Sequence, residues 1–63
     1  MLEQAMLREQ FQELLRKERE AERVYAELAA KVEDVSLREQ VEQLRRDKLR
    51  HIRLTERLLE IVE

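Results

Sequence analysis

The chain has no cysteine, no glycine and no proline among its 63 residues, and its only aromatic residues are one tyrosine and one phenylalanine. Without cysteine, disulfide bonds and thiolate metal sites are excluded. Without glycine and proline, the sequence lacks the residues that most often mark turns and helix ends. The remaining composition is rich in leucine, glutamate, arginine, alanine and glutamine, which favour helices. We therefore predict an all-α protein.

Long apolar runs are also missing, because no stretch without a charged residue exceeds four positions. A membrane-spanning helix needs roughly 20 apolar residues, and no signal-peptide pattern opens the chain. We expect a protein with no membrane partner and, by default, a cytoplasmic location. The net charge of −2 and the lack of aromatic residues among the arginines of the C-terminal half argue against nucleic acid as a partner.

Apolar residues recur in steps of four and three along two stretches, which is the spacing of a helix face that packs against another helix. The first seam, with one charged member, consists of Leu7, Phe11, Leu14, Glu18, Ala21, Tyr25, Leu28, Val32 and Val35. The second seam, with two ionisable members, consists of Leu37, Val41, Leu44, Lys48, His51, Thr55, Leu58 and Val62. Each stretch predicts an amphipathic helix that carries polar residues at seam positions.

The two seams are out of phase. In a continuous helix, the two-residue step from Val35 to Leu37 would rotate the apolar face by about 200°. Ser36 and Glu39 have the spacing of a capping box, in which a serine hydroxyl and a glutamate carboxylate satisfy the first amides of a new helix. We therefore expect the first helix to end before Ser36 and a second helix to begin there.

These signals predict one domain over residues 1–63, folded as a helical hairpin. The first helix is expected over about 2–34, the turn at about 34–36 and the second helix over about 36–62. A single continuous coiled-coil helix is the alternative, and the absence of glycine and proline favours it.

Further apolar residues flank both seams and widen the apolar faces. They are Leu15, Val24 and Ala29 in the first helix, and Ile52, Leu54, Leu59 and Ile61 in the second. Two helices cannot cover faces of this width for each other. We therefore predict that two hairpins pack as a homodimer into a four-helix bundle, since a twofold dimer is the commonest closed assembly.

The polar seam residues are expected to meet. Glu18 and His51 lie almost equally far along the chain from Val35, one before it and the other after it, so the two side chains fall at one level of an antiparallel hairpin. Lys48 lies one turn from His51, and Tyr25 lies about two turns from Glu18, both toward the loop. We predict a core polar cluster of these four residues. Charged groups inside a bundle are costly unless they are paired or bind a metal.

The segment EREAERVYAELA, residues 18–29, resembles the first helix of rubrerythrin-type members of the ferritin-like family. In that helix a metal-binding glutamate precedes a tyrosine by seven residues, and Glu18 and Tyr25 match this pair. The resemblance implies a ferritin-like four-helix bundle, of which this chain would form one helical-hairpin half over roughly residues 11–62.

The segment RRDKLRHIRLTERLL, residues 45–59, resembles the second helix of the same family, which carries a Glu-x-x-His motif preceded by an acidic residue. Asp47 matches that acidic residue and His51 matches the ligand histidine. Lys48 stands where the ligand glutamate is expected, so the resemblance implies a degenerate di-metal motif.

Three interpretations of the cluster remain open. Lys48 can replace the positive charge of a metal by pairing with Glu18, which predicts a self-associating structural protein without cofactor or catalytic residues. Alternatively, Glu18 and His51 of two chains bind iron, manganese or zinc, and the resemblance then implies a protein that handles iron, oxygen or peroxide. The third interpretation is an unrelated helical bundle in which Lys48 extends to solvent, or a coiled-coil adaptor for another helix.

Overall fold

A computed structural model describes residues 2–63 as two antiparallel helices. Helix α1 spans Leu2–Lys31, helix α2 spans Val35–Val62, and residues 32–34 connect them. Residue 1 of the predicted domain lies outside the described residues. The hairpin measures 51 × 14 × 10 Å, so it is a layer only one helix thick. The predicted helical hairpin is confirmed, and the continuous-helix alternative is wrong.

Helix α2 is capped by Asp34. The backbone of Asp34 is extended, with φ −67° and ψ 123°, and its Oδ1 atom accepts a hydrogen bond of 2.8 Å from the amide of Leu37. This bond satisfies one of the amides that the start of a helix leaves unpaired. The predicted capping box of Ser36 and Glu39 is therefore wrong, because α2 already begins at Val35 and Ser36 lies within its first turn.

The end of α1 is closed by a side chain of α2. Arg38 donates from Nε and Nη2 to the carbonyl oxygen of Val32, at 2.9 and 2.7 Å, and the Val32 amide donates to Leu28 at 3.0 Å. Helices often end on a residue in the left-handed region, which glycine adopts most easily. No residue in 2–63 has a positive φ. The turn therefore requires no glycine, in agreement with the composition.

The contact between α1 and α2 buries few residues. Leu15 and Ala29 of α1 and Thr55 and Leu59 of α2 are buried. Three of these four lie beside the predicted seams rather than on them. The Thr55 hydroxyl donates to the His51 carbonyl oxygen at 2.8 Å, so this polar side chain is satisfied within its own helix.

All six leucines of the predicted seams remain exposed. They are Leu7, Leu14 and Leu28 of α1 and Leu37, Leu44 and Leu58 of α2, and together with Leu54 they are called the uncovered face below. The two halves of this face lie on the same side of the hairpin, because Leu14 of α1 and Leu54 of α2 line one groove. Neither described helix combines the length and the apolar character needed to cross a membrane.

Candidate functional site

The structure brings Glu18, Lys48 and His51 together near the middle of the hairpin. Lys48 Nζ lies 3.3 Å from Glu18 Oε2 and donates to Glu18 Oε1 at 3.4 Å. His51 Nδ1 lies 3.2 Å from Glu18 Oε2. One carboxylate of α1 thus contacts two side chains of α2 that are separated by one helical turn. These three residues are called the polar cluster below.

The members of the polar cluster differ in exposure. Glu18 and Lys48 keep 15% and 26% of their side-chain surface exposed, whereas His51 keeps 48%. Glu18 and His51 also line the groove between Leu14 and Leu54. The cluster therefore lies at the border between the contact of α1 with α2 and the uncovered face.

The contact between His51 and Glu18 indicates which nitrogen of the imidazole ring carries a proton. An ionised carboxylate can only accept hydrogen bonds, so the contact with Glu18 requires a proton on His51 Nδ1. In the neutral ring, Nε2 is then the acceptor. Within residues 2–63, no buried side-chain nitrogen or oxygen lacks a hydrogen-bond partner. Both carboxylate oxygens of Glu18 thus have a hydrogen-bond partner within a single chain.

Tyr25 is half-buried but lies apart from the other predicted members. Seven residues separate it from Glu18, which corresponds to about 10 Å along a helix. In the described part of the chain, no hydrogen bond joins Tyr25 to Glu18, Lys48 or His51. Its inclusion in the cluster is not supported by contacts within one chain.

Two further ion pairs connect the helices next to the polar cluster, and sequence reasoning missed both. Arg45 Nε lies 3.3 Å from Glu22 Oε2, and Arg19 Nη2 lies 3.3 Å from Glu56 Oε2. The first pair is partly buried. The sequence contains a signal for the pair of Arg45 and Glu22, since Glu22 follows Glu18 by four residues and therefore lies on the same side of α1.

Glu13 and Arg16, which lie outside the polar cluster, have shifted pKa values with a clear physical cause. Arg16 donates to Glu13 from Nη2 at 2.7 Å and from Nε at 3.1 Å. This hydrogen bonding lowers the pKa of Glu13 and raises the pKa of Arg16. Both side chains are exposed and belong to α1 alone, and neither contacts a member of the polar cluster.

One chain supplies only two of the side chains predicted to bind metal, Glu18 and His51. Within residues 2–63, no three histidine, cysteine, aspartate or glutamate side chains gather into a group that could hold a metal ion. A metal centre of the predicted type therefore requires ligands from a second chain.

Comparison with protein-family models, with curated proteins and with solved structures finds no significant match. The resemblance to ferritin-like proteins therefore stays a prediction that depends on the residues of this sequence.

Proposed function

We propose that the chain is a self-associating structural protein. Two hairpins pack through their uncovered faces into a ferritin-like four-helix bundle, and an ion pair stands where the family places its metals. The observation that supports this proposal most directly is the contact of Glu18 with both Lys48 and His51 at the edge of the uncovered face. In this arrangement Lys48 supplies the positive charge next to the carboxylate.

Surface area supports a second copy as the occupant of the uncovered face. The chain has a solvent-accessible area of 5143 Å². A folded monomer of its mass, 7.7 kDa, has an area of about 4300 Å² on average. The excess of about 800 Å² equals what one partner commonly contributes to a stable interface, roughly 800 Å². A layer one helix thick cannot avoid this excess unless another layer covers it.

The position of the predicted seams also supports a bundle of four helices. Phe11 and Val41, for example, are half-buried by the other helix of the hairpin, whereas Leu14 and Leu44 of the same seams are exposed. Each seam thus lies partly against the neighbouring helix and partly on the uncovered face. In a four-helix bundle, this intermediate position lies at the centre of the bundle.

Sedimentation equilibrium between about 1 and 100 µM tests self-association. We expect a dimer whose thermal midpoint rises with concentration. Leu14→Lys should weaken the dimer at least about tenfold, since each copy loses part of a leucine contact and gains a charge in the interface. Gln12→Lys is the matched control, because residue 12 lies about 200° around the same helix from residue 14 and is exposed.

A monomeric parent chain across this range would overturn the proposal. The uncovered face would then be available to a helix of another protein, which was the adaptor interpretation. If Leu14→Lys and Gln12→Lys weakened the dimer equally, the proposal would also be contradicted, because the added charge rather than its position would be responsible.

Metal binding is a second candidate function, and the contact between Glu18 and His51 favours it. A carboxylate that accepts from one imidazole nitrogen orients the ring and leaves the other nitrogen able to bind a cation. Two copies would offer two such imidazoles for iron, manganese or zinc. Calorimetric titration of chelator-treated protein with each ion tests this function, and stoichiometric binding by the parent chain would replace the ion-pair proposal.

A further inference from the structure

The polar cluster interrupts a surface that is rich in leucine. On α1 the uncovered face repeats leucine at residues 7, 14 and 28, and on α2 at residues 37, 44 and 58. The cluster lies between these leucines, near the middle of both helices. Apolar residues of similar size at such positions are usually as stabilising as a buried ion pair, or more so. Stability alone therefore does not explain the cluster.

The leucine repeat leaves the alignment of two hairpins poorly defined. On each helix these leucines lie seven or fourteen residues apart, and seven residues of helix correspond to about 10 Å. A second copy that slid along the face by this distance would again place apolar side chains, leucine or Ala21, against one another at several positions. A purely apolar face of this kind would thus accept several alignments of similar energy.

The polar cluster removes this degeneracy. In the aligned dimer the two clusters meet, because Glu18 lies close to the middle of α1, which spans Leu2–Lys31. A slide by seven residues would instead press Glu18, Lys48 and the half-exposed His51 against leucines of the other copy. Their polar atoms would then lose water without gaining a new partner, which is unfavourable.

We propose that Glu18, Lys48 and His51 determine specificity, in that they select one alignment of the second copy. This inference rests on the proposed function, because it presupposes the dimer. A single polar position in an otherwise apolar seam is known to select register in coiled coils, at a cost in stability. The polar cluster likewise places polar side chains within an apolar face, with three such side chains in each copy.

Distance measurements between spin labels test the inference. The chain has no cysteine, so Gln12→Cys, at an exposed position, allows one label per copy. The parent dimer should give one narrow distance distribution. The variant that combines Glu18→Leu, Lys48→Leu and His51→Leu should melt at a higher temperature and give several distances, or assemblies larger than a dimer.

Two control variants separate alignment from general effects of charge. Glu18→Gln with Lys48→Gln should keep one narrow distribution, because buried amides also require partners. Arg23→Gln with Glu27→Gln removes an exposed ion pair of 2.9 Å on α1 and should change nothing. If the triple leucine variant precipitates, the variant with only Glu18→Leu and Lys48→Leu is measured in its place, with the same expectation.

The outcomes distinguish this inference from the proposed function. A monomeric parent removes the proposed function and the inference with it. A dimeric parent whose triple leucine variant keeps the same single narrow distance overturns the inference and leaves the proposed function intact. A dimeric parent that itself shows several distances likewise overturns the inference.

Discussion

Lys48→Glu is the substitution that separates the ion-pair and metal interpretations most sharply. It exchanges the charge 3.3 Å from Glu18 for one of the same sign as Glu18. In a dimer, the change would place four carboxylates and two His51 imidazoles at the centre of the bundle. This is the ligand set that di-metal carboxylate bundles use.

The metal-free variant should be less stable than the parent chain. Loss of an exposed ion pair costs about 0–1 kcal/mol, and loss of one partner of a buried pair costs about 3–5 kcal/mol. With side-chain exposures of 15% and 26%, the pair of Glu18 and Lys48 lies between these limits. Repulsion between the two carboxylates adds to the loss. We expect a decrease of about 2–4 kcal/mol per chain in the free energy of unfolding, measured by urea denaturation in the presence of a chelator.

Added metal should reverse this loss in the variant. An ion that binds only the folded dimer, at a concentration 100 times its dissociation constant, stabilises the dimer by about 2.7 kcal/mol. For a dimer of two 63-residue chains, this corresponds to a rise of roughly 10 °C in the melting temperature. Iron, manganese and zinc should each be tested by thermal denaturation and by calorimetric titration, and the parent chain should respond much less.

A second substitution, His51→Gln in the Lys48→Glu background, provides the control. It removes both imidazoles from the dimer and should abolish most of the response to metal. A variant that binds no metal would refute the ferritin-like site. Metal binding that survives His51→Gln would show that surface carboxylates are responsible, and that the cluster is not the site.

Three other predictions concern the turn and the surface. Asp34→Ala should lower the free energy of unfolding by about 1 kcal/mol through loss of the N-cap, whereas Ser36→Ala should change it little, as chemical denaturation can establish. Arg38→Met should destabilise the hairpin by about 1–2 kcal/mol in the same assay, because the carbonyl of Val32 loses two hydrogen bonds, and an unchanged stability would show that water replaces them. The pKa of Glu13 should lie below its ordinary value in carboxyl NMR titrations and rise in Arg16→Gln. Because the folded-state pKa is lowered, this contribution to stability is present at neutral pH and is lost as pH falls through that pKa.

The sequence was sufficient to predict the hairpin, because the phase break between the seams cannot be accommodated in one helix. It did not identify the cap, since Asp34 and Ser36 are both favourable N-cap residues. The cap at Asp34 is accompanied by a contact that the sequence does not reveal, between the Arg38 side chain and the carbonyl of Val32. With the cap at Asp34, Arg38 lies close enough to bind the carbonyl of Val32.

The proximity of Glu18, Lys48 and His51 was predictable from counting residues outward from the turn, because antiparallel helices of equal rise keep equal distances from the loop. The buried core was not predictable in the same way. Periodicity reports the average direction of the apolar residues, which corresponds to the centre of a bundle. Leu15 and Leu59 are buried although both lie beside the seams, so the contact between α1 and α2 is centred away from the average direction.

The charge balance of the polar cluster helps to decide between the ion-pair and the metal interpretations of the parent chain. In the proposed bundle, two copies of Glu18 and Lys48 would bring two negative and two positive charges to the centre, and these charges would balance without any ion. A divalent cation bound by His51 would lie close to two ammonium groups and would compete with them for the same carboxylates. Each lysine would then have to leave its carboxylate and extend to solvent. The ion pair therefore opposes metal binding unless Lys48 is displaced, whereas the substitution Lys48→Glu removes the competing charge.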